Sequence, residues 1–535
     1  MKERRQIHVE GIVQGVGFRP FIHALACESD LGGFVLNNSR GVVIQVEGER
    51  EALDRFLKIV REQAPRETAI ERIVWDSIPA LGEKSFTIAP SRHEGECGAF
   101  ISPDRATCDE CLDELFDPAN RRHRYPFINC TNCGPRFSII REVPYDREHT
   151  TMAAFPMCAA CEREYHDHRN RRFHAQANAC FSCGPELQLV HPDGSELKED
   201  DPISAAARLL RSGAIIALKG IGGYHLACNA LDDDAVSVLR RKKKREEKPF
   251  ALMGRDLQTI QQFCFVGERE QRLLESSSRP IVLLRRQGNP VAAEVAPAQK
   301  YLGWMLPCTP LHSLLLNEST FPLVMTSGNV SEEPIASKDS EAIERLGCIA
   351  DYFLVGNREI HTSCDDTVVR CFANRKLTIR RSRGYAPKPV TLRHRFSQHT
   401  LACGGHLKNT FCLAKDHQAF VSHHIGDLEN YKTFGSFIDA IERLKCLFGV
   451  QPSLIAHDLH PDYLSTRYAA SLNAAVKIGV QHHHAHIVSC MAEHGLEGPV
   501  IGVAFDGLGY GADGTLWGGE FLIADLAGYS RRAHL

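Results

Sequence analysis

The 535-residue sequence predicts a multidomain protein built from α+β and α/β units around a metal-binding segment. The length corresponds to about three or four domains of ~150 residues. Strand and helix patterns alternate in the first ninety or so residues and again after Asp201, and eight of the 20 cysteines form four CxxC pairs. We place the domains at residues 1–91, 105–188, 201–389 and 400–535, with the polar segment HRFSQHT as the last linker.

Composition excludes several classes of protein. The formal net charge is -3, so the charges are balanced and the chain lacks the basic surplus of a protein that coats nucleic acid or an anionic membrane. No apolar run approaches the ~20 residues that span a bilayer, and the N-terminus runs directly into a strand pattern. We therefore expect a cytoplasmic protein whose cysteines are metal ligands or small buried side chains.

The four CxxC pairs predict two structural zinc sites. Each half of the segment has the spacing CxxC-x18-CxxC, and 24 residues separate the halves. Two short knuckles supply the four thiolates of a closed Zn²⁺ site, which leaves no position open for chemistry. The spacing does not decide which pairs share a metal. The ligands are Cys108, Cys111, Cys130, Cys133, Cys158, Cys161, Cys180 and Cys183.

The segment GIVQGVGFR joins a predicted strand to a predicted helix through three glycines and ends at Arg19. Such a turn lets several backbone N–H groups meet one anion at a helix N-terminus, while a guanidinium binds two of its oxygens. A phosphoryl group has the required geometry. The alternative is a tight turn without a ligand.

The strings VQGVGFR and GFVLNNSRGVVIQVEG together resemble acylphosphatases, small ferredoxin-like sandwiches. The resemblance implies that Arg19 binds the phosphoryl group, that Asn37 rather than Asn38 orients the attacking water, and that the substrate is a carbamoyl or acyl phosphate. The implied phosphate cradle consists of Gln14, Gly15, Val16, Gly17 and Phe18.

The third unit begins with a helix at Asp201-Pro202 that ends at Gly213, before the strand AIIALKG. It contains the strings KGIGGYHLACNA, LRRKKKREEKPFALM and MTSGNVSEEP, followed by IRRSRGYAP. The basic run by itself is also typical of a solvated helix face.

These strings resemble the YrdC-like α/β family, which binds ATP and makes carbamoyl-type adenylates. The resemblance implies a cationic nucleotide and carbamate pocket, which suits a transition state with charge on the α-phosphate and the departing pyrophosphate. Its predicted residues are Lys219, His225, Lys243, Arg245, Ser327, Asn329 and Arg383.

The string QHHHAHIVSC places His482 and His486 four residues apart, on one face of a helix, and Asp506 follows a later strand. Imidazole and carboxylate ligands suit iron and zinc about equally. Accidental clustering of histidines is the alternative. The strings LACGGHLKNTFCLA and HHIGDLE resemble the phosphate hairpin of actin-like ATPases, and the histidine pair with the aspartate is similar to the metal site of their carbamoyltransferase branch.

With these four parts in this order, the chain resembles the carbamoyltransferase family of nickel-iron hydrogenase maturation. This similarity implies that carbamoyl phosphate is cleaved, that carbamate and ATP with Mg²⁺ form carbamoyl adenylate, and that the C-terminal cysteine of HypE receives the carbamoyl group as precursor of the cyanide ligands. Compared with that family, we expect the actin-like part to be only a first lobe, C-terminally incomplete and less stable than the rest.

Two other functions fit parts of the sequence. An O-carbamoyltransferase of small-molecule biosynthesis would share the YrdC-like and actin-like units but lack VQGVGFR and the CxxC pairs. A zinc-dependent nucleic-acid-binding protein would use the arginines at 121–124 and 169–172 to contact phosphates, with strong salt dependence.

Overall fold

The computed structural model describes residues 2–93, 98–331 and 333–535. The chain divides into two compact units. The first comprises Met1–Ser331 and Ile335–Ala386, and the second comprises Glu332–Pro334 and Pro387–Leu535. The multidomain α+β and α/β fold class is confirmed.

The N-terminal part of the first unit is a small α+β sandwich. Its sheet has the order β4-β1-β3-β2-β5, with β1 antiparallel to both β3 and β4 and with β5 parallel to β2. Two helices bury apolar residues such as Ile22 and Phe56. The elements are β1 Lys2–Ile12, α1 Phe18–Glu28, β2 Gly32–Asn37, β3 Gly41–Glu49, α2 Arg50–Glu62, β4 Ala69–Ile78 and β5 Phe86–Ile88.

The cysteine-rich segment has little regular structure. Its two short helices are α3 Asp109–Phe116 and α4 Ala159–His166, joined by the 3-10 turns Arg147–His149 and Thr151–Ala154. Each helix starts directly after the first cysteine of a CxxC pair and carries the second, so the duplicated spacing is also a structural repeat.

A ten-stranded mixed sheet forms the rest of the first unit, with the order β15-β14-β10-β11-β9-β12-β8-β7-β13-β6. Two large apolar clusters lie among its strands and helices. The strands are β6 Leu187–Val190, β7 Ile216–Lys219, β8 Tyr224–Asn229, β9 Ala251–Met253, β10 Ile281–Arg285, β11 Tyr301–Met305, β12 Leu323–Ser327, β13 Tyr352–Gly356, β14 Val368–Phe372 and β15 Arg375–Arg380.

Six helices connect these strands: α5 Pro202–Arg211, α6 Asp233–Lys242, α7 Leu257–Gln261, α8 Glu268–Leu274, α9 Pro310–Ser319 and α10 Asp339–Leu346. The predicted start of α5 is confirmed. The Asp201 carboxylate accepts the N–H groups of Ile203 and Ser204, and Pro202 occupies the first helical turn, where its missing N–H costs nothing.

The second unit contains two sheets, with the orders β17-β16-β18-β19 and β20-β21-β22. Its strands are β16 Val390–Ala402, β17 Cys412–Val421, β18 Leu454–Asp458, β19 Val476–Val480, β20 Val500–Tyr510, β21 Leu516–Ala524 and β22 Tyr529–His534, and its helices are α11 Tyr431–Phe448, α12 Leu464–Ser471 and α13 His482–His494. The predicted linker HRFSQHT is wrong. These residues lie inside β16, where cross-strand hydrogen bonds to β17 override their polar composition. No helix within the described ranges is long and apolar enough to cross a membrane.

Candidate functional site

The glycine turn after β1 forms a backbone cradle at the start of α1. Gly15 and Gly17 have φ values of 71° and 78°, in the left-handed region that glycine enters without steric cost, and Gly17 immediately precedes the first helical residue, Phe18. These residues line one pocket together with Arg19. N–H groups of a first helical turn next to a guanidinium are suited to binding an oxyanion.

The Arg19 guanidinium is buried and close to Asn37. When the Asn37 amide is oriented with its oxygen toward Arg19, it accepts hydrogen bonds from Nε at 3.3 Å and from Nη2 at 3.2 Å. Arg19 Nη2 also donates to the Asp146 carboxylate at 2.8 Å, and Nη1 donates to Ser91 Oγ at 3.3 Å. The structure thus brings together the two residues predicted to be catalytic.

Asn38 and Gln14 have structural partners instead. Asn38 Oδ1 accepts the N–H groups of Arg40 at 3.0 Å and Gly41 at 2.9 Å, which closes the turn between β2 and β3. Gln14 Nε2 donates to the carbonyls of Asn38 and Gly41, and its Oε1 accepts the N–H of Tyr145. These three hydrogen bonds all join the Gln14 side chain to backbone groups, so Gln14 supports the cradle structurally.

The zinc segment covers the Arg19 pocket. Thr131, Arg136, Tyr145, His174 and Gln176 line the pocket opposite the cradle, and Arg136 Nε donates to the Gly15 carbonyl at 2.6 Å. Burial, together with the nearby Arg19 charge, lowers the pKa of His174 to about 3, so its imidazole is neutral. The sequence does not indicate this half of the pocket, because it lies more than a hundred residues from the cradle along the chain.

The cysteines form two sets of four, each from neighbouring CxxC pairs. One contains Cys108, Cys111, Cys130 and Cys133, the other Cys158, Cys161, Cys180 and Cys183. In each set three of the distances between sulfur atoms are 3.6–3.8 Å. A Zn–S bond of ~2.3 Å in a tetrahedron gives a sulfur separation of about 3.8 Å, so both sets fit Zn²⁺.

Arginines of each zinc repeat contact the cysteine sulfurs of the other repeat. Arg171, from the second repeat, donates to the sulfurs of Cys111 at 3.0 Å and Cys108 at 3.4 Å in the first repeat, while it and Arg172 pair with Glu114. In the opposite direction, Arg121 and Arg122 donate to Cys161 and pair with Glu164. These arginines, which suggested nucleic-acid binding, thus serve the zinc segment.

The predicted nucleotide residues Lys243, Ser327 and Asn329 meet at the end of β12. The fully buried Lys243 Nζ donates to the carbonyls of Ser327 and Asn329 at 2.6 Å and to Asn329 Oδ1 at 2.7 Å. Burial, together with the Arg245 charge, lowers the pKa of Lys243 to about 7. Arg245 itself bonds to the carbonyls of Lys248 and Pro249. Among the described residues no carboxylate bonds to Lys243, so this pair of basic side chains suits a phosphate or carbamate.

His225 and Arg383 share a buried carboxylate near this group. His225 Nε2 lies 2.9 Å from Asp366 Oδ2, and Arg383 Nε lies 2.6 Å from Oδ1. His225 is also the cross-strand partner of Ser327. Lys219, by contrast, bonds to Asp339 and the Gly356 carbonyl, a different set of partners. Asp366 was missed because the signal for it is only a pair of aspartates in an irregular segment.

His482, His486 and Asp506 also converge, in the second unit. Their ligand atoms lie within 4.8 Å of one another, and the Nε2 atoms of the two histidines are 3.2 Å apart at the start of α13. His482 Nδ1 bonds to Asp458 at 2.6 Å, the arrangement by which carboxylates orient metal-binding imidazoles. His483 and His484 bond to the carbonyls of Gly518 and Asp525 on other sides of the helix. The donor set fits a divalent transition metal.

Known families match nearly the whole chain in the predicted order. The profiles are Acylphosphatase over residues 5–88, HypF finger over 107–140 and 157–190, Telomere recombination, which covers the Sua5, YciO and YrdC proteins, over 208–382, HypF Kae1-like domain over 395–493, and Carbamoyltransferase, Kae1-like Domain, second subdomain, over 502–535. Carbamoyltransferase HypF2 of Cupriavidus necator is 48% identical, over 99% of this chain and 69% of its own length. The chain belongs to the HypF carbamoyltransferase family.

Further HypF proteins agree with this assignment. Carbamoyltransferase HypF of Synechocystis is 47% identical over 99% of this chain and 69% of its own length. A crystal structure of full-length HypF in a phosphate- and nucleotide-bound form superposes with a TM-score of 0.97 at 52% identity, covering all of this chain and 70% of that one. HypF of T. kodakarensis superposes with a TM-score of 0.93 at 42% identity, over all of this chain and 69% of its own length. The predicted enzyme class, an ATP-using carbamoyltransferase, is confirmed.

Proposed function

We propose that the chain produces and activates a carbamoyl group in consecutive steps during hydrogenase maturation. Carbamoyl phosphate is cleaved at the Arg19 pocket to carbamate and phosphate. Carbamate then reacts with MgATP at the Lys243 pocket to carbamoyl adenylate and pyrophosphate. The C-terminal cysteine of HypE takes the carbamoyl group, which becomes a precursor of the cyanide ligands.

One observation carries the proposal: two buried cationic sites of different design occur in one compact unit. At the first, Arg19 and the backbone cradle bind the phosphoryl oxygens while the Asn37 amide orients water toward phosphorus. At the second, Lys243 and Arg245 stabilise the charge that develops on the α-phosphate and the leaving pyrophosphate. Neither site duplicates the chemistry of the other.

We propose that carbamate, which decomposes in water, passes directly from the first site to the second. Gln14, Ser102, Arg136 and Tyr145 line a small enclosed cavity next to Gly15. The buried Asp104 accepts the N–H of Arg136, a lining residue of this cavity, and both donors of Ser138. These buried groups beside the first site support a passage that would keep the intermediate from water.

For the transfer step we assign His482, His486 and Asp506 as ligands of one metal ion, iron or zinc, which would polarise an oxygen of the bound substrate. Asp458 holds the His482 ring in the ligating tautomer. The two four-cysteine sites hold zinc as scaffolding. A reducing compartment keeps eight ligand thiols available, so we assign the protein to the cytoplasm.

The test is the release of pyrophosphate from ATP by the zinc-loaded protein. We expect release that depends on carbamoyl phosphate. Arg19→Ala should lower it by at least ~100-fold, and ammonium bicarbonate, which supplies carbamate, should restore it. Lys243→Met should abolish release with either substrate, whereas Arg55→Ala, on the exposed side of α2, should have no effect. Wild-type protein without carbamoyl-phosphate-dependent release would refute the proposal.

The acceptor is tested separately by mass spectrometry. We expect the C-terminal peptide of HypE to gain about 43 Da, because one carbamoyl group replaces one hydrogen. The increase should be absent when that cysteine is changed to alanine. An unmodified partner in a reaction that forms adenylate would contradict HypE as acceptor and leave the first two steps standing.

A further inference from the structure

The carboxylate of Asp146, in the zinc segment, forms an ion pair with Arg19, the residue proposed to bind the phosphoryl group. Asp146 Oδ1 accepts from Arg19 Nη2 at 2.8 Å, across 127 positions of sequence. The Asp146 side chain is 17% exposed and that of Arg19 is 9% exposed, so water screens this ion pair only partly. In the described part of the chain, Arg19 is the only side chain that bonds to the Asp146 carboxylate.

The donors of Arg19 are nearly all in use. A guanidinium has five N–H groups. Nε and one N–H of Nη2 reach Asn37, the other N–H of Nη2 reaches Asp146, and Nη1 reaches Ser91. A phosphoryl group that binds in the usual bidentate manner must therefore displace at least one of these acceptors. Asp146 is the only charged one among them, and it would repel the incoming dianion.

The surroundings of Asp146 allow it to move. It precedes the 3-10 turn Arg147–His149, and its side chain makes no capping hydrogen bond to this described turn. The neighbouring Arg147 is held independently, because its N–H donates to Gln176 and its Nη1 donates to the carbonyls of Gln176 and Asn178. Release of the carboxylate from Arg19 thus leaves these contacts of the turn intact.

We propose that Asp146 is a displaceable internal counter-ion of the phosphate site. It holds Arg19 in position while the site is empty, leaves when the phosphoryl group of the substrate binds, and returns to help expel inorganic phosphate. The inference rests on the proposed role of Arg19. It gives the zinc segment a function in the first reaction beyond scaffolding, since this segment sets how tightly anions bind.

The test is calorimetric titration of the zinc-loaded full chain with inorganic phosphate. Asp146→Asn removes the charge and keeps the size, and should bind phosphate about tenfold tighter than wild type. Asp146→Ser should shift the affinity in the same direction. Glu148→Gln removes an exposed charge from the same turn and should leave the affinity unchanged. Adding Arg19→Ala to Asp146→Asn should abolish binding.

Kinetics add a second measurement with its own outcome. The Asp146 carboxylate competes for Arg19 with the substrate and with the product phosphate alike. Asp146→Asn should therefore lower KM for carbamoyl phosphate and the inhibition constant of phosphate by similar factors. We expect kcat to be unchanged or lower. Phosphate affinity that is unchanged or weaker in both neutral variants, with two zinc ions still bound, would overturn the inference. A wild-type protein that binds phosphate but does not cleave carbamoyl phosphate would refute the proposed function alone.

Discussion

At the scale of single residues, Lys243 is unusual because it is a buried ammonium group whose described contacts are all neutral oxygens. These are two carbonyls and the Asn329 amide oxygen. Burial opposes the charged form, and the neighbouring Arg245 opposes it further, so the pKa falls to about 7. An anionic ligand would supply the missing negative charge, so its binding favours protonated Lys243.

This predicts that ATP binding weakens as pH rises. Below about pH 7 Lys243 carries its proton before the ligand arrives, whereas above that value binding must also take up a proton. The affinity should therefore fall by up to about tenfold per pH unit between roughly pH 7 and 9. Calorimetry over this range checks it. Lys243→Met should bind weakly with a flat profile, the exposed Lys244→Met should follow wild type, and a flat wild-type profile would contradict the assignment.

At the scale of elements, the two repeats of the zinc segment stabilise each other. Each repeat places its arginines against the thiolates of the other repeat, so that a positive charge and hydrogen bonds offset the net negative charge of each four-thiolate zinc group. The glutamates that pair with these arginines follow the CxxC cysteines on α3 and α4. Neither repeat contains all the residues that its own metal site uses.

We accordingly predict that an arginine in one repeat controls zinc retention in the other. Arg171→Ala should speed the loss of zinc from the Cys108 site to a chelator by roughly tenfold, because outer-sphere donors change metal affinity by about 10–100-fold. The Cys158 site, in which the Cys161 sulfur accepts from Arg121 and Arg122, should change less. Arg169→Ala on the same turn is the control. The release of zinc is followed with a colorimetric chelator. Equal acceleration at both sites would contradict a specific role of Arg171 at the Cys108 site.

At the scale of the whole molecule, the three-stranded sheet of the second unit leaves large apolar residues uncovered. The second unit exposes Ile501 by 82% and Phe505 by 72% on β20, which lies at the edge of its three-stranded sheet. The apolar cluster beneath that sheet is small, with Ile487, Met491 and Leu522 as its largest buried members. The ten-stranded sheet of the first unit, by contrast, packs within two extensive apolar clusters.

Limited proteolysis should therefore cut the second unit first. Local opening costs less where few apolar contacts are lost, and chymotrypsin has an exposed target at Phe505. We expect an early product that retains the first unit with both zinc sites, identified by intact mass and zinc content. Initial cleavage within residues 201–389, with the second unit surviving, would contradict this expectation.

Local sequence accounts for a large part of the fold. The cap at Asp201, the cradle of Gly15 and Gly17 and the helical pairing of His482 with His486 depend on spacings of a few residues, so short-range geometry already determines them. The duplicated CxxC interval similarly predicted two closed sites. The prediction of a linker at HRFSQHT was wrong because strand pairing with β17, a contact between residues apart in the sequence, overrides the polar composition of this segment.

The sequence by itself determined which chemical groups are present and how close neighbours in the chain are oriented. Only the tertiary structure decided that neighbouring cysteine pairs share a metal, that Arg171 reaches the sulfurs of Cys108 and Cys111, and that Asp146 lies on Arg19. The physical reason is that these contacts join residues tens to more than a hundred positions apart. Packing of whole elements sets such distances, and no local spacing encodes them.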